Sequence, residues 1–171
     1  KLSRPNIVHE SLAKLEEKGL IKAVITQNID LLHQKEGSKT VFELHGSPKQ
    51  HYCLSCGKEF DFDNVLSMLQ KVDVPTCPDC GGILKPRIVF FGESLPEYDL
   101  DNAEYHAKKA DFLLVLGTSL TVYPAAAIPE ITHRSGGKIG IVNASSTYVD
   151  NACVFKAADL GSIFEELNVL L

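Results

Sequence analysis

No uninterrupted apolar run in this 171-residue chain approaches the roughly 20 residues that a membrane-spanning helix needs. A membrane is therefore not an expected partner, and with no secretory pattern read at the start the expectation is a soluble, cytoplasmic protein. The chain also lacks a basic block: 17 Lys and Arg against 22 Asp and Glu leave a net charge of −5. Domains that bind nucleic acid concentrate Lys and Arg on one face, so no direct contact with nucleic acid is expected. No internal repeat or low-complexity linker divides the sequence. Nor does a G-x-G turn open any helix after a strand, although such turns are where dinucleotide folds hold a pyrophosphate. The first residue is Lys1 rather than methionine, so a fragment, a processed product or a trimmed chain is expected.

What is present suits an ordinary globular protein. With 44% hydrophobic and 23% charged residues, the chain can bury one substantial core and carry a small insertion. Five cysteines occur, four of them as Cys53-x2-Cys56 and Cys77-x2-Cys80, separated by twenty residues. Each pair sits beside Gly or Pro that can turn the backbone around an ion, and four thiolates in two such knuckles suit tetrahedral zinc. Four protein ligands leave no open position for water or substrate, so one structural zinc is expected, with redox thiols or disulfides as the alternatives. Between the pairs, 62–71 reads as a short helix with Val65, Leu66 and Leu69 apolar, inside a module spanning about 49–84. Cys153, flanked by Ala and Val, reads as a small buried hydrophobe.

The rest alternates between helical and strand patterns. Val8, Leu12 and Leu15 make 6–18 an amphipathic helix that Gly19 ends. Ala23-Val24-Ile25 reads as a strand buried on both faces, after which the chain turns polar at Thr26-Gln27-Asn28-Ile29-Asp30. In open parallel α/β sheets, ligands bind outside the carboxyl ends of strands, so this cluster is a candidate site. A helical turn at 31–35, a loop and a strand over 40–44 lead to His45, and Gly46 allows close approach of a ligand or of another segment. On spacing alone a lone His after a strand is more often structural. Strand character returns over 88–93 and again at Phe112–Leu116, the clearest buried strand, which stops at Gly117-Thr118-Ser119. A polar helix at 99–110, an Ala-rich helix at 125–132, a parallel strand ending at Val142 before Asn143, and a final helix from Leu160 complete a right-handed parallel α/β sheet.

The segments TQNID, LHGS, the paired CxxC signature, IVFFGE, GTSLTVYP and IVNASST occur here in that order, and with them the chain resembles the sirtuins, NAD-dependent protein-lysine deacylases. The resemblance runs from about Pro5 and weakens after Asp150. It implies a Rossmann-like parallel sheet over 1–48 and 85–171 that binds NAD, with the zinc-ribbon module 49–84 inserted. It further implies that Gln27, Asn28, Ile29 and Asp30 line the nicotinamide and ribose part of the pocket. Gly117, Thr118, Ser119, Asn143 and Ala144 would take the adenosine ribose side, and Leu160 the adenine. His45 would be the general base, taking a proton from a ribose hydroxyl. Val89, Phe91, Gly92 and Val122 would wall the acyl-lysine tunnel, with 88–93 as an edge to which an acetylated protein or peptide adds as a strand.

Two departures from the family pattern matter. Lys156-Ala157-Ala158 stands where members often carry a Gly, and the family's Gly-rich phosphate loop, which should precede Lys1, is absent. The expectation is therefore an acetyl transfer giving nicotinamide, O-acetyl-ADP-ribose and free lysine, performed poorly by these 171 residues alone. A noncatalytic NAD-binding scaffold or a zinc-ribbon protein-interaction module is the alternative. A scaffold would not need a His at the LHGS position, and a zinc module would not need polar groups at three strand ends.

Overall fold

The computed structural model describes residues 3–171. Helix α1 (Ile7–Glu17) starts because the Asn6 side chain accepts the backbone N–H groups of Val8 and His9, satisfying donors that the first turn leaves free. It ends where Gly19 takes a positive φ of 71°. Strand β1 (Val24–Thr26) follows, then α2 (Leu32–Glu36), then β2 (Val41–Glu43), which runs parallel to β1 with Val24 opposite Val41 and Thr26 opposite Glu43. The β1–α2 corner places Leu31 in the left-handed region, at φ 61°.

A second sheet is antiparallel. Strand β3 (Gly46–Cys53) pairs with β4 (Glu59–Asp61) on one side and, beyond α3 (Phe62–Leu69), with β5 (Leu84–Ile88) on the other. Pro48 lies inside β3, and the register with β5 shifts between Ser47 and His51, the irregularity that lets a strand carry a residue without an N–H. After α4 (Glu97–Lys109), β6 (Phe112–Leu116), α5 (Ile128–Arg134), β7 (Lys138–Val142) and β8 (Cys153–Ala157) build a parallel sheet in the order β6-β7-β8, and α6 (Leu160–Leu170) closes the chain.

The expected α/β architecture with parallel strands and a small inserted module is what the chain adopts, with several differences in detail. The parallel strands form two groups, β1–β2 and β6–β7–β8, joined by packing rather than by a shared ladder. Phe42 and Leu44 from the first group meet Ala103 and Ala107 of α4 and Ile128 of α5, and Ile25 and Leu113, one from each group, pack on that cluster. Strand β7, not β6, is the buried centre, because it pairs on both sides while β6 is an edge with Phe112 49% exposed. Strand character expected over 88–93 lies instead at Leu84–Ile88. There the chain can pair with β3, whereas 90–93 is a turn in which the Glu93 N–H donates to the Phe90 carbonyl at 3.0 Å. Leu66, Leu69 and Leu170 are exposed; the inward residues of their helices are Val65 and Phe164. Cys153 is half-buried, its thiol 3.0 Å from the Asp150 carbonyl. No helix among the described residues is long and apolar enough to cross a membrane.

Gly46 sits at the joint between β2 and β3 with φ 73°, and a Cβ there would lie 2.1 Å from the Arg87 carbonyl oxygen. Close approach therefore comes from β5, one of the two alternatives the sequence left open. Gly46→Ala combines left-handed strain with a backbone clash and should cost at least about 2 kcal/mol in urea unfolding. Gly37→Ala, at φ 111° with open space around it, should lose only about 1 kcal/mol. Equal losses would show that the β5 approach does not constrain residue 46.

Candidate functional site

Four sulfurs converge at the far end of the antiparallel sheet. Cys53 ends β3, Cys56 follows in the turn to β4, and Cys77 and Cys80 form the second knuckle before β5; all four Sγ atoms lie within 4.8 Å of one another. The Cys53–Cys80 and Cys56–Cys77 separations are 3.5 and 3.8 Å. A tetrahedron with Zn–S bonds of about 2.3 Å has edges of about 3.8 Å, so the spacing fits zinc. All are free thiols, far beyond disulfide bonding distance. The backbone N–H groups of Cys56 and Ser55 pull the Cys53 thiol down to about 6. The Gly82 N–H favours thiolate at Cys80, yet its neighbouring sulfurs, Cys53 first among them, push it up to about 12. Sulfurs this close resist joint ionisation unless a cation sits among them, as a dication would. The four cysteines are positioned to bind one zinc ion. Val65, Phe60 and Leu84 pack against Cys53 and Cys77, so the cluster is the module's core as well as its ligand set.

The other site is a rim assembled by strand ends. Parallel pairing of β1 and β2 ends both strands at the same level, and the Leu44 N–H donates to the Thr26 carbonyl at 2.9 Å to carry the pairing one residue further. His45 therefore stands beside Gln27. Its Nδ1 lies 3.0 Å from the Gln27 carbonyl oxygen, which can only accept, so Nδ1 carries the proton and Nε2 keeps its lone pair. The neighbouring turn is held by the Asn28 N–H on Thr26 Oγ1 at 3.1 Å and the Leu32 N–H on Asp30 Oδ1 at 3.0 Å, with Asn28, Ile29 and Asp30 exposed.

Residues after β6 and β7 face the same rim. The Gln27 side-chain amide reaches Thr118 Oγ1 at 3.5 Å, a long hydrogen bond linking the two strand groups. The Gly117 N–H donates to the Val142 carbonyl at 3.0 Å, and a Cβ on Gly117 would meet a Leu160 methyl at 3.2 Å, so Leu160 lies against Gly117. Ser119 Oγ is engaged with Thr121 Oγ1 at 2.9 Å. Asn143 is buried, and its Nδ2 donates to the Ser145 carbonyl at 2.9 Å, which leaves Oδ1 as the group free to accept. Ala144 is exposed beside it. Val89 joins the rim through its N–H, which donates to the His45 carbonyl at 2.9 Å, while Phe91, Gly92 and Val122 are exposed beyond it. Sequence reasoning gave Lys85 no role; a lysine beside Pro86 reads as surface charge, yet here its side chain is only 11% exposed and touches Glu93.

The Sir2 family model matches residues 1–124. This chain belongs to the Sir2 family. It is 52% identical over 154 residues to an NAD-dependent protein deacetylase of Thermotoga maritima, the match covering 90% of this chain and 63% of that protein. Another NAD-dependent protein deacetylase, from Thermodesulfovibrio yellowstonii, is 48% identical over 149 residues, covering 86% and 58%. The chain thus spans about three fifths of the length of these curated relatives. Among solved structures, a Sir2 complex with a p53 peptide and NAD+ superposes with a TM-score of 0.94 at 48% identity, covering 98% of this chain and 70% of that one. A second, bound to a propionylated peptide, gives 0.93 at 48% identity, covering 98% and 71%.

If zinc holds this Sir2-family module together, Cys77→Ser removes one of four ligands and the metal with it, because metal binding and local folding are linked. Elemental analysis should fall from about one zinc per chain to well below half, and amide exchange over 49–84 should accelerate. Full metal occupancy with unchanged exchange would contradict the four-thiolate assignment.

Proposed function

We propose that this protein is an NAD-dependent protein-lysine deacylase that transfers acetyl from lysine to the cofactor's ribose, consuming one water and yielding nicotinamide, O-acetyl-ADP-ribose and free lysine. The observation that carries the reading is the 3.0 Å contact of His45 Nδ1 with the Gln27 carbonyl: an oxygen that can only accept assigns the proton to Nδ1, which leaves Nε2 as a proton acceptor at a strand-end rim. The relatives named above support it by their activity, and the peptide- and NAD-bound structures support the same substrates. When bound, NAD supplies an activated ribose that releases nicotinamide and accepts the acyl oxygen.

The chain's own residues do the rest. His45 takes a proton from a ribose hydroxyl at Nε2, and the Gln27 carbonyl stabilises the imidazolium that results by accepting from Nδ1. Gln27, Asn28, Ile29 and Asp30 line the nicotinamide and ribose side. Asn143, its Nδ2 committed to Ser145, offers Oδ1 to a hydroxyl of the adenosine ribose, with Gly117, Thr118, Ser119 and Ala144 around it and Leu160 toward adenine. Val89, Phe91, Gly92 and Val122 supply apolar walls that favour a neutral acyl-lysine and disfavour the charged product, which helps release. Zinc takes no part in the chemistry, since four thiolates leave it no open position.

In this reading 1–48 and 85–171 form the cofactor-binding part and 49–84 the metal module, with β3 and β5 running through both joints. Thiolate ligation of zinc also suits a reducing compartment, which supports a cytoplasmic location. In the otherwise complete enzyme, carrying the phosphate loop, His45→Ala should bind NAD with unchanged affinity while deacetylation turnover falls about 10²- to 10⁴-fold, because the imidazole moves a proton and does not anchor the cofactor. Nicotinamide release and product mass with an acetylated peptide measure both. Unchanged turnover would remove His45 from the mechanism.

A further inference from the structure

The turn at 90–93 carries Phe91 and Gly92, yet little packs beneath it. Phe90 is 50% exposed and Phe91 fully exposed. A cavity of about 490 Å³ has Lys85, Val89, Glu93, Ser94 and Pro96 in its lining. Apolar packing therefore does not fix this segment, and φ 87° at Gly92 gives it a backbone that few side chains would tolerate.

A polar clasp holds it instead. Lys85, on β5, is 11% exposed and projects its ammonium to the last residue of its own strand and to two residues of the following turn. The ammonium donates to the Ile88 carbonyl at 2.9 Å and to Glu93 Oε2 at 2.8 Å, and stands 4.4 Å from the centroid of the Phe90 ring. Glu93 Oε2 in turn accepts the Phe90 N–H at 2.9 Å. The ammonium and the Phe90 N–H together hold the Glu93 carboxyl below the usual carboxylate range. One half-buried cation thus ties the strand, the aromatic side chain and both ends of the turn.

We propose that Lys85, through Glu93, is the positioning residue for acyl-peptide recognition: the clasp fixes the 90–93 turn in the shape that presents Val89, Phe91 and Gly92 to the substrate. The proposal rests on the deacylase reading for the identity of the substrate, and not for the clasp itself. The Glu93 side chain is 41% exposed, so the geometry comes from the further hydrogen bonds to the Ile88 carbonyl and the Phe90 N–H that orient this charge-assisted pair. The clasp acts on peptide affinity, since the hydrogen bonds of the Lys85 ammonium go to Ile88 and Glu93 and to none of Gln27, His45, Thr118 or Asn143. The sequence carries this as a lysine and a glutamate eight residues apart flanking the apolar run 88–91.

The test compares Lys85→Met, Lys85→Arg and Glu93→Gln with the parent. Three readouts serve: amide exchange at Phe90 and Glu93, binding of a fluorescein-labelled acetyl-lysine peptide, and nicotinamide release with NAD. Lys85→Met should speed exchange at those amides and weaken peptide binding about tenfold, as expected for loss of hydrogen bonds to a charged group. KM for the peptide should rise by the same factor with kcat changed less than about twofold. Lys85→Arg should restore parent values, because charge and donors are kept. Glu93→Gln, which leaves β5 untouched, should follow Lys85→Met and serves if that variant fails to fold. Unchanged exchange, or faster exchange with parent-like peptide affinity, overturns the proposal. In a parent extended to carry the Gly-rich phosphate loop, peptide binding without nicotinamide release overturns the deacylase reading alone, and peptide affinity across the variants then decides the clasp. A parent that does not bind the peptide overturns both.

Discussion

The parallel pairing of β1 with β2 is the constraint on which the candidate site depends. Parallel strands that start in register end in register, so the polar residues after Thr26 and those after Glu43 emerge at one level although a loop and a helix separate them in sequence. The hydrogen bond from Leu44 to Thr26 prolongs the pairing, and the next residue on each side supplies the two partners of the His45–Gln27 contact. Each of these bonds contributes only about 1 kcal/mol net, so the precision of the rim comes from their arrangement on packed strands. Phe42 and Leu44, nearly sealed from solvent, anchor that arrangement to α4 and α5.

The metal module is tied to the same rim through its strands. β3 begins at Gly46, immediately after His45, and ends at Cys53, so one strand leads from the imidazole to the first sulfur. β5 returns from the second knuckle to Val89, whose N–H donates to the His45 carbonyl. Order at the four-cysteine end is therefore carried along β3 and β5 to the rim.

Much of this was legible in the sequence. Strand ends at Leu116 and Val142, and one within a residue of Ile25, were readable from short apolar runs that give way to Gly or polar residues, and the cysteine spacing suited a tetrahedral donor set. Four things were hidden. β3 escaped because Pro48, Lys49 and Gln50 break its pattern and a register shift absorbs the break. β8 escaped because an exposed edge strand needs little apolar periodicity, as Val154 at 62% exposure illustrates. Past Ile88 the chain leaves β5 for an exposed turn, so the apolar composition of 88–93 imitated a strand that begins four residues earlier. The role of Lys85 depends on a fold-back across a turn, which single-residue character does not encode.

The central claim is that β-strand pairing sets the tautomer of His45, leaving Nε2 to act as base. Two-bond 1H–15N correlation of the His45 imidazole, at a pH where the ring is neutral, reads this directly. The account predicts a protonated Nδ1 and an unprotonated Nε2. A ring protonated at Nε2, with Nδ1 bare against the Gln27 carbonyl, would contradict it.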